Sequence, residues 1–214
     1  MASDHPLPFY DISWLAVKDG DAATLIDLLD FADPIAVTWE QGRAAVCGDY
    51  WDFDEPLEAV WSRVFITPNV DGWTLLLGGW FDGHDAQAAA RLATTCQNLS
   101  QRYGAAHAFT TQGRMDHYAW LLAQNGTILR WFVWDGEVVT DSGETPTVEQ
   151  QLRAAFVAEE SDDVWSPSEV DVCAIAGASG IDPSILGANT SSNGHGVMVT
   201  TPWGRQHGVP KRPL

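Results

Sequence analysis

Three turn dipeptides, each set between apolar segments, constrain the fold of this chain more than any other feature. Asp71-Gly72, Asn125-Gly126 and Asp135-Gly136 each separate two runs that are rich in aliphatic or aromatic residues. These dipeptides adopt the left-handed backbone conformation that tight hairpins require, and Asn-Gly between two strands is typical of a type I′ turn. The chain is therefore predicted to form hairpins, and much of its sheet should pair antiparallel.

Helical periodicity is strongest over residues 85–102, where Asp85 is the expected N-cap and Gly104 the residue that ends the helix. Single helices of this kind separate runs of strands, which favours an α+β domain. We expect an antiparallel or mixed sheet of about six to seven strands, with helices packed mainly on one face. Further helices are predicted at 22–31, 147–158 and 167–178, and strands at 35–39, 43–48, 63–67, 73–78, 105–111, 118–124 and 128–135, with short ones at 137–140 and 197–200.

Composition near the two ends sets the expected domain boundaries. Residues 1–11 are polar and contain proline, and residues 187–214 are rich in glycine and polar residues, so both are predicted to be flexible. Residues 12–186 should form the single globular domain. The first eight residues contain no basic residue, and the apolar runs are far shorter than the roughly 20 residues of a membrane helix. We therefore expect a cytoplasmic protein.

Acidic residues greatly outnumber basic ones, with 29 Asp and Glu against 11 Lys and Arg and a net charge of −18. The excess is largest in residues 1–60, which hold 13 acidic and 2 basic residues. A negative field repels phosphate backbones and anionic membranes, so neither nucleic acid nor a membrane is an expected partner. The same field attracts a basic protein, although a need for solubility explains an acidic composition equally well.

The segment from residue 49 to residue 58 mixes carboxylates with aromatic rings and is the candidate partner-binding site. So many carboxylates cannot all be buried, so a surface loop or short helix is predicted. Its residue order lacks the glycine of a calcium-binding loop, and no metal is assigned to it. Carboxylates would steer a basic partner and the rings would anchor it. The candidate residues are Asp49, Tyr50, Trp51, Asp52, Phe53, Asp54, Glu55 and Glu58.

Catalytic and cofactor motifs are missing from the sequence. It contains no phosphate-binding loop, no serine elbow and no histidine pair at metal-binding spacing, so no cofactor is predicted. Two histidines next to acids are the remaining candidates. The carboxylate of Asp116 can raise the pKa of His117 and make it a base, although a solvent-facing strand end explains the pair too. His84 precedes Asp85 and suits either a metal or an ordinary helix start.

Four segments resemble a group of uncharacterised bacterial proteins, and together they span about residues 35–186. No established activity comes with this resemblance, so it implies no catalytic residues. Small, acidic, tryptophan-rich bacterial proteins of this character also resemble immunity proteins of toxin systems. The segments are Arg63 to Gly78 (RVFITPNVDGWTLLLG), Tyr118 to Trp120 (YAW), Gly143 to Pro146 (GETP) and Ser168 to Leu186 (SEVDVCAIAGASGIDPSIL).

Taken together, these features favour an immunity- or antitoxin-type inhibitor that occludes a basic protein partner, such as a toxin. The alternative is a small enzyme or enzyme accessory whose site lies around Asp116-His117, with His84 as an optional third member, and it requires these residues to converge in the fold. A third hypothesis is a small-ligand-binding module in which tryptophan rings stack on the ligand.

Overall fold

The computed structural model describes residues 4–50, 56–159, 165–192 and 194–210. Within these ranges the chain forms an α+β fold with one nine-stranded sheet and six α-helices. The strands are β1 (Ser13–Lys18), β2 (Ala32–Val37), β3 (Arg63–Ile66), β4 (Trp73–Leu77), β5 (Ala105–Gln112), β6 (His117–Gln124), β7 (Thr127–Asp135), β8 (Val138–Gly143) and β9 (Gly196–Thr200). The helices are α1 (Ala22–Leu28), α2 (Trp39–Asp49), α3 (Ala86–Tyr103), α4 (Thr147–Glu159), α5 (Glu169–Ser179) and α6 (Pro202–His207).

The strands lie in the order β2-β9-β3-β4-β1-β5-β6-β7-β8, and every neighbouring pair is antiparallel. The antiparallel sheet is confirmed, but nine strands among the described residues exceed the predicted six to seven. One additional strand is β1, which no sequence pattern had indicated and which lies at the centre of the sheet. Another is β9, which was predicted only as a short terminal strand and is inserted between β2 and β3.

Both faces of the sheet are covered, so the prediction of helices mainly on one face is wrong. Along β1, Trp14 and Ala16 belong to one buried core, and Leu15 and Val17 belong to the other. Alternate residues of a strand point to opposite faces, so a strand that is apolar throughout needs cover on both sides. Helices α2, α4 and α5 contribute to the first core, whereas α1 and α3 contribute to the second.

Residues 43–48 form part of α2 and not the predicted strand. The helix begins after Thr38, whose hydroxyl accepts a hydrogen bond from the Gln41 amide while the Gln41 side chain accepts one from the Thr38 amide. Because Gly42 follows this capping box, the sequence pattern predicts a strand and a turn here instead of the start of a helix. The glycine is required for packing, since a Cβ at Gly42 would lie 2.2 Å from Cδ2 of Phe65.

Several local predictions are confirmed. The Asp85 carboxylate caps α3 by accepting a hydrogen bond from the Ala88 amide, and Gly104 ends the helix at a φ of +86°. Asn125 and Gly126 both have positive φ, as a type I′ turn requires. The cap of α5 is Ser168, whose hydroxyl accepts a hydrogen bond from the Asp171 amide.

The two ends, which were predicted to be flexible, both contribute to the folded core where they are described. Phe9 is 2% exposed and contacts Trp14 edge-to-face. Residues 194–210 supply β9 in the interior of the sheet and α6 after it. No helix of the described part of the chain is both long enough and apolar enough to cross a membrane.

A buried cluster of charges attaches α4 to the sheet. Glu149 of α4 is fully buried, and its carboxylate accepts hydrogen bonds from the Arg130 guanidinium of β7 and from Nε1 of Trp120. Arg130 also donates to Asp141 of β8, and Arg153 of α4 donates to Glu149. Each buried charge in the cluster therefore has a partner, which offsets the cost of removing it from water.

Candidate functional site

Strands β5 to β8 form a meander, and three rows of side chains cross it on the face that α3 covers. Because the strands pair in register and alternate residues share a face, residues two apart fall in adjacent rows. One end of this face is polar and the other end is apolar. The rows are Gln112–His117–Asp135, Thr110–Ala119–Val133–Thr140 and Ala108–Leu121–Trp131–Ser142.

The polar row forms the floor of a cavity of about 490 Å³. Its walls come from distant parts of the chain: the residues before β1, the end of α2, the short 3-10 helix at 57–61, the loop at 82–84 that follows the 3-10 helix at 79–81, and the meander. This cavity is called the cleft below. Its lining includes Asp11, Tyr50, Trp61, Asp82, His84, Arg114, Met115, His117, Asp135 and Val139.

His117 lies between two carboxylates at the centre of the cleft. Its Nε2 is 3.6 Å from Oδ1 of Asp82, and its Nδ1 is 3.7 Å from Oδ1 of Asp135. Burial by itself lowers the pKa of His117, but the two carboxylates outweigh burial and raise this pKa above its ordinary value. His117 therefore carries a proton over a wider pH range than an isolated histidine does.

Asp82 has one carboxylate oxygen with unused hydrogen-bonding capacity. Its Oδ2 accepts a hydrogen bond of 3.0 Å from Nε2 of Gln112. Its Oδ1 is buried and accepts no hydrogen bond from the residues that the structure describes. This oxygen instead faces Nε2 of His117 at 3.6 Å, so Asp82 and His117 form an ion pair that is longer than a direct hydrogen bond.

His84 forms part of the wall and is held by an aromatic stack. Its ring lies parallel to Trp61, with 4.0 Å between the ring centroids and 11° between the planes. Its Nε2 is 3.5 Å from a carboxylate oxygen of Asp85. His84 and His117 both line the cleft, so the two histidines singled out in the sequence do converge.

Asp116, however, is not the carboxylate that pairs with His117. It is exposed, and its backbone has a φ of +50° in the turn before β6. Among the described residues, the carboxylates within 4 Å of the His117 ring nitrogens are those of Asp82 and Asp135. The sequence did not indicate Asp82 or Asp135 as a partner of His117, because neither is close to it along the chain and Asp135 was interpreted as part of the Asp135-Gly136 turn.

The described residues of the acidic candidate segment, residues 49–58, lie in different environments. The predicted surface position is wrong for Asp49, because its carboxylate is buried and accepts two hydrogen bonds from Arg63. Tyr50 lines the cleft, and its hydroxyl accepts a hydrogen bond from the Ser13 amide. Glu58 is exposed on the 3-10 helix at 57–61. The remaining candidates, Trp51, Asp52, Phe53, Asp54 and Glu55, lie outside the described residues.

An apolar cavity of about 350 Å³ adjoins the cleft and is called the groove below. It runs between the first turns of α3 and the second and third rows of the meander. His84, His117, Val133 and Val139 line both cavities, so the polar and apolar compartments are continuous. Its other lining residues include Ala86, Ala89, Leu92, Ala108, Ala119, Leu121 and Trp131.

Within the described ranges, no three His, Cys, Asp or Glu side chains are grouped so that they could hold a metal ion. Comparison of the chain with protein-family models, with curated proteins and with solved structures finds no match. The chemistry of the cleft is therefore the basis on which its function is argued.

Proposed function

We propose that the protein is an acidic binding module of the immunity or antitoxin type, which occludes a basic protein partner by accepting a cationic side chain in the cleft. The observation that carries this proposal is the arrangement of Asp11, Asp82 and Asp135 around one cavity. Arg114 and the protonated His117 are the cations of the same lining, and the carboxylates of the lining exceed them in number.

The rim of the cleft has the mixed character of a protein interface. Met115 and Val139 line the cleft and are 68% and 61% exposed. Exposed apolar side chains next to carboxylates give a partner both a hydrophobic contact and a directed charge, as the apolar centre and polar rim of a protein interface do. The net charge of −18 adds long-range attraction for a basic partner.

The proposed contact surface is the cleft and not the segment 49–58 that the sequence indicated. Asp49 pairs internally with Arg63 and has no carboxylate oxygen to offer a partner. Tyr50 contributes one wall of the cleft, and the acids that surround the cavity come from other parts of the chain. The partner is therefore expected to depend on Asp82 and Asp135 more than on Asp49.

A double variant, Asp82→Asn with Asp135→Asn, tests the proposal. The immobilised protein should retain a basic protein from a bacterial lysate at low salt and release it at high salt, and the double variant should retain at least tenfold less. The matched control is Asp27→Asn with Asp71→Asn, which removes two exposed carboxylates outside the cleft. Equal retention by the two double variants, or retention that salt does not change, would contradict the proposal.

The second candidate is an enzyme in which His117 acts as an acid or base. The specific observation in its favour is that Asp82 and Asp135 flank the imidazole and His84 lines the same cavity. A screen of ester, amide and phosphoester substrates, with His117→Gln and His84→Gln as controls, tests it. Turnover that both variants retain in full would exclude these histidines from the chemistry.

A further inference from the structure

We propose that the partner adds an extended segment to the sheet as a further strand beside β8, with apolar side chains at alternate positions and basic residues at both ends. Strand addition at this edge rests on the proposed function and specifies how the basic partner is held next to the cleft. Val139 of β8 lines the cleft, so the added strand would lie directly beside it. Main-chain hydrogen bonds would supply affinity, and the alternate side chains would supply specificity.

The two edges of the sheet differ in whether they can accept another strand. β2 is one edge, and Pro34 within it has no amide proton, while Asp33 has a φ of +51°. The pairing of β2 with β9 is also irregular between Ala32 and Ile35. Proline and irregular pairing are devices by which an edge strand resists further pairing. The β2 edge is therefore protected.

β8 is the other edge, and its sequence contains no proline, lysine or arginine. One irregularity lies near its beginning, after which Thr140 to Gly143 pair with β7 in unbroken register. The Glu144 amide donates to the Leu129 carbonyl of β7. Because amides alternate in direction along an antiparallel strand, those of Asp141 and Gly143 point away from β7. Within the described part of the chain β8 pairs with β7 alone, so these outward groups can bond to an added strand.

The face of the sheet beside β8 offers an apolar surface to alternate side chains of the added strand. Helix α3 packs mainly against β5 and β6 on this face. Trp131 and Val133 of β7 line the groove and are half-buried, and Leu129 is 44% exposed. Thr140 and Ser142 of β8 lie between these residues and the edge, and their side chains are short. Apolar side chains of an added strand can therefore lie over them and contact the open side of the groove.

The charge around β8 selects a basic segment and disfavours a second copy of this chain. Residues 131–152 contain five acidic residues and no lysine or arginine. Asp141 already pairs with Arg130, whereas Glu137 and Glu144 are exposed and flank the two ends of β8. Basic residues at the ends of an added segment would lie near these glutamates. Antiparallel pairing of two β8 strands would instead bring Glu137 of one copy near Glu144 of the other, and like charges opposed across strands are destabilising.

The first experiment titrates the full chain with the synthetic peptide Lys-Val-Thr-Val-Thr-Val-Lys and follows amide hydrogen exchange by NMR. Strand addition should slow the exchange of the outward amides of Asp141 and Gly143 by about tenfold or more at saturation. The amides of Ser142 and Glu144 face β7 already, so their exchange should change little. Binding that leaves Asp141 and Gly143 unprotected, or no binding at millimolar peptide, would overturn the inference.

Two matched peptides separate backbone pairing from charge. Proline in place of the central valine removes an amide donor and disrupts the extended pairing, so it should weaken binding by about tenfold or more. Glutamate in place of both lysines should weaken binding by a similar factor at low salt, because it places like charges beside Glu137 and Glu144. Equal affinity of all three peptides would overturn the inference.

Lysine variants at the two edges of the sheet provide a matched pair on the protein. Ser142→Lys places a cation on β8, outside the cleft, where it should oppose pairing and abolish the amide protection. Ala36→Lys makes a similar change at an exposed position of β2 and should leave peptide binding unchanged. Equal effects of the two variants, with circular dichroism showing both folded, would contradict the assignment of the edge.

The outcomes distinguish strand addition from the proposed function on which it rests. Retention of a basic protein that Asp82→Asn with Asp135→Asn removes, but that Ser142→Lys leaves unchanged, overturns strand addition and leaves the proposed function intact. Peptide protection of Asp141 and Gly143 together with no salt-sensitive retention of a basic protein gives the opposite result. Sedimentation of the free chain as a dimer that Ser142→Lys converts to a monomer would assign the edge to a second copy and overturn the inference.

Discussion

Protonation of His107 should account for a measurable part of the loss of stability at acid pH. His107 lies on β5, is 7% exposed, and packs with its ring 5.4 Å from Trp73. Its Nδ1 accepts a hydrogen bond of 3.3 Å from the Ala123 amide, so the neutral ring fits this site. Burial lowers the pKa of His107 from 6.5 to about 4 in the folded protein.

The sign and size of the effect follow from proton linkage. The folded pKa is depressed, so the contribution to stability is fully present above pH 6.5, the value for the unfolded chain. As pH falls from 6.5 to about 4, the unfolded chain takes up a proton that the folded protein does not. The free energy of unfolding should therefore decrease by about 3 kcal/mol over this interval.

Urea denaturation at several pH values between 7.5 and 4, followed by circular dichroism, measures this loss. The matched variant is His107→Gln, because a glutamine oxygen can accept the hydrogen bond from Ala123 but does not titrate. Carboxylates titrate equally in both proteins, so the wild type should lose about 3 kcal/mol more than the variant. Parallel pH dependences in the two proteins would refute the reasoning.

Three further predictions concern the core and the cleft. Glu149→Gln should lower the free energy of unfolding by about 3 kcal/mol in urea denaturation, because the variant leaves buried guanidinium groups without a full counter-charge; a loss below 1 kcal/mol would contradict this. Gly42→Ala should destabilise the protein by about 2 kcal/mol, because the alanine Cβ would lie 2.2 Å from Phe65. This cost should exceed the gain from the higher helix propensity of alanine, and a rise in melting temperature would contradict the prediction. His117 should titrate above pH 6.5 by NMR, and Asp82→Asn should lower that pKa. Because the folded pKa of His117 is raised, its contribution to stability is present below pH 6.5 and is lost as pH rises through the folded value.

Much of the secondary structure could be predicted because its causes are local. The cap at Asp85, the glycine at 104 and the turn at Asn125-Gly126 each depend on residues within a few positions of one another. Local patterns gave a wrong secondary-structure prediction where two of them overlapped. Thr38 to Gly42 contains both a capping box and an apparent strand-turn pattern, and contact with Phe65 favours the helix.

The candidate site was predicted only in part. His84 and His117 were identified from their acidic neighbours, and both line the cleft. Asp116 was the wrong partner for His117, because it is exposed in the left-handed turn before β6 and the ring meets carboxylates from other segments instead. Asp49 was placed at the surface because its buried partner, Arg63, lies 14 residues away.

By itself, the sequence determined the hairpins, the long capped helix, the strongly acidic charge and the α+β class, since each depends on local periodicity, local turns or composition. Only the tertiary structure decided the central position of β1, the insertion of β9 and the cover on both faces of the sheet. The cleft, in which Asp11, Asp82 and Asp135 surround one cavity, also depends on the tertiary structure. Strand register places Asp135 beside His117, whereas Asp11 and Asp82 come from the segments before β1 and after the 3-10 helix at 79–81. These carboxylates are spread over more than 100 residues of chain, so no local pattern records that they line one cavity.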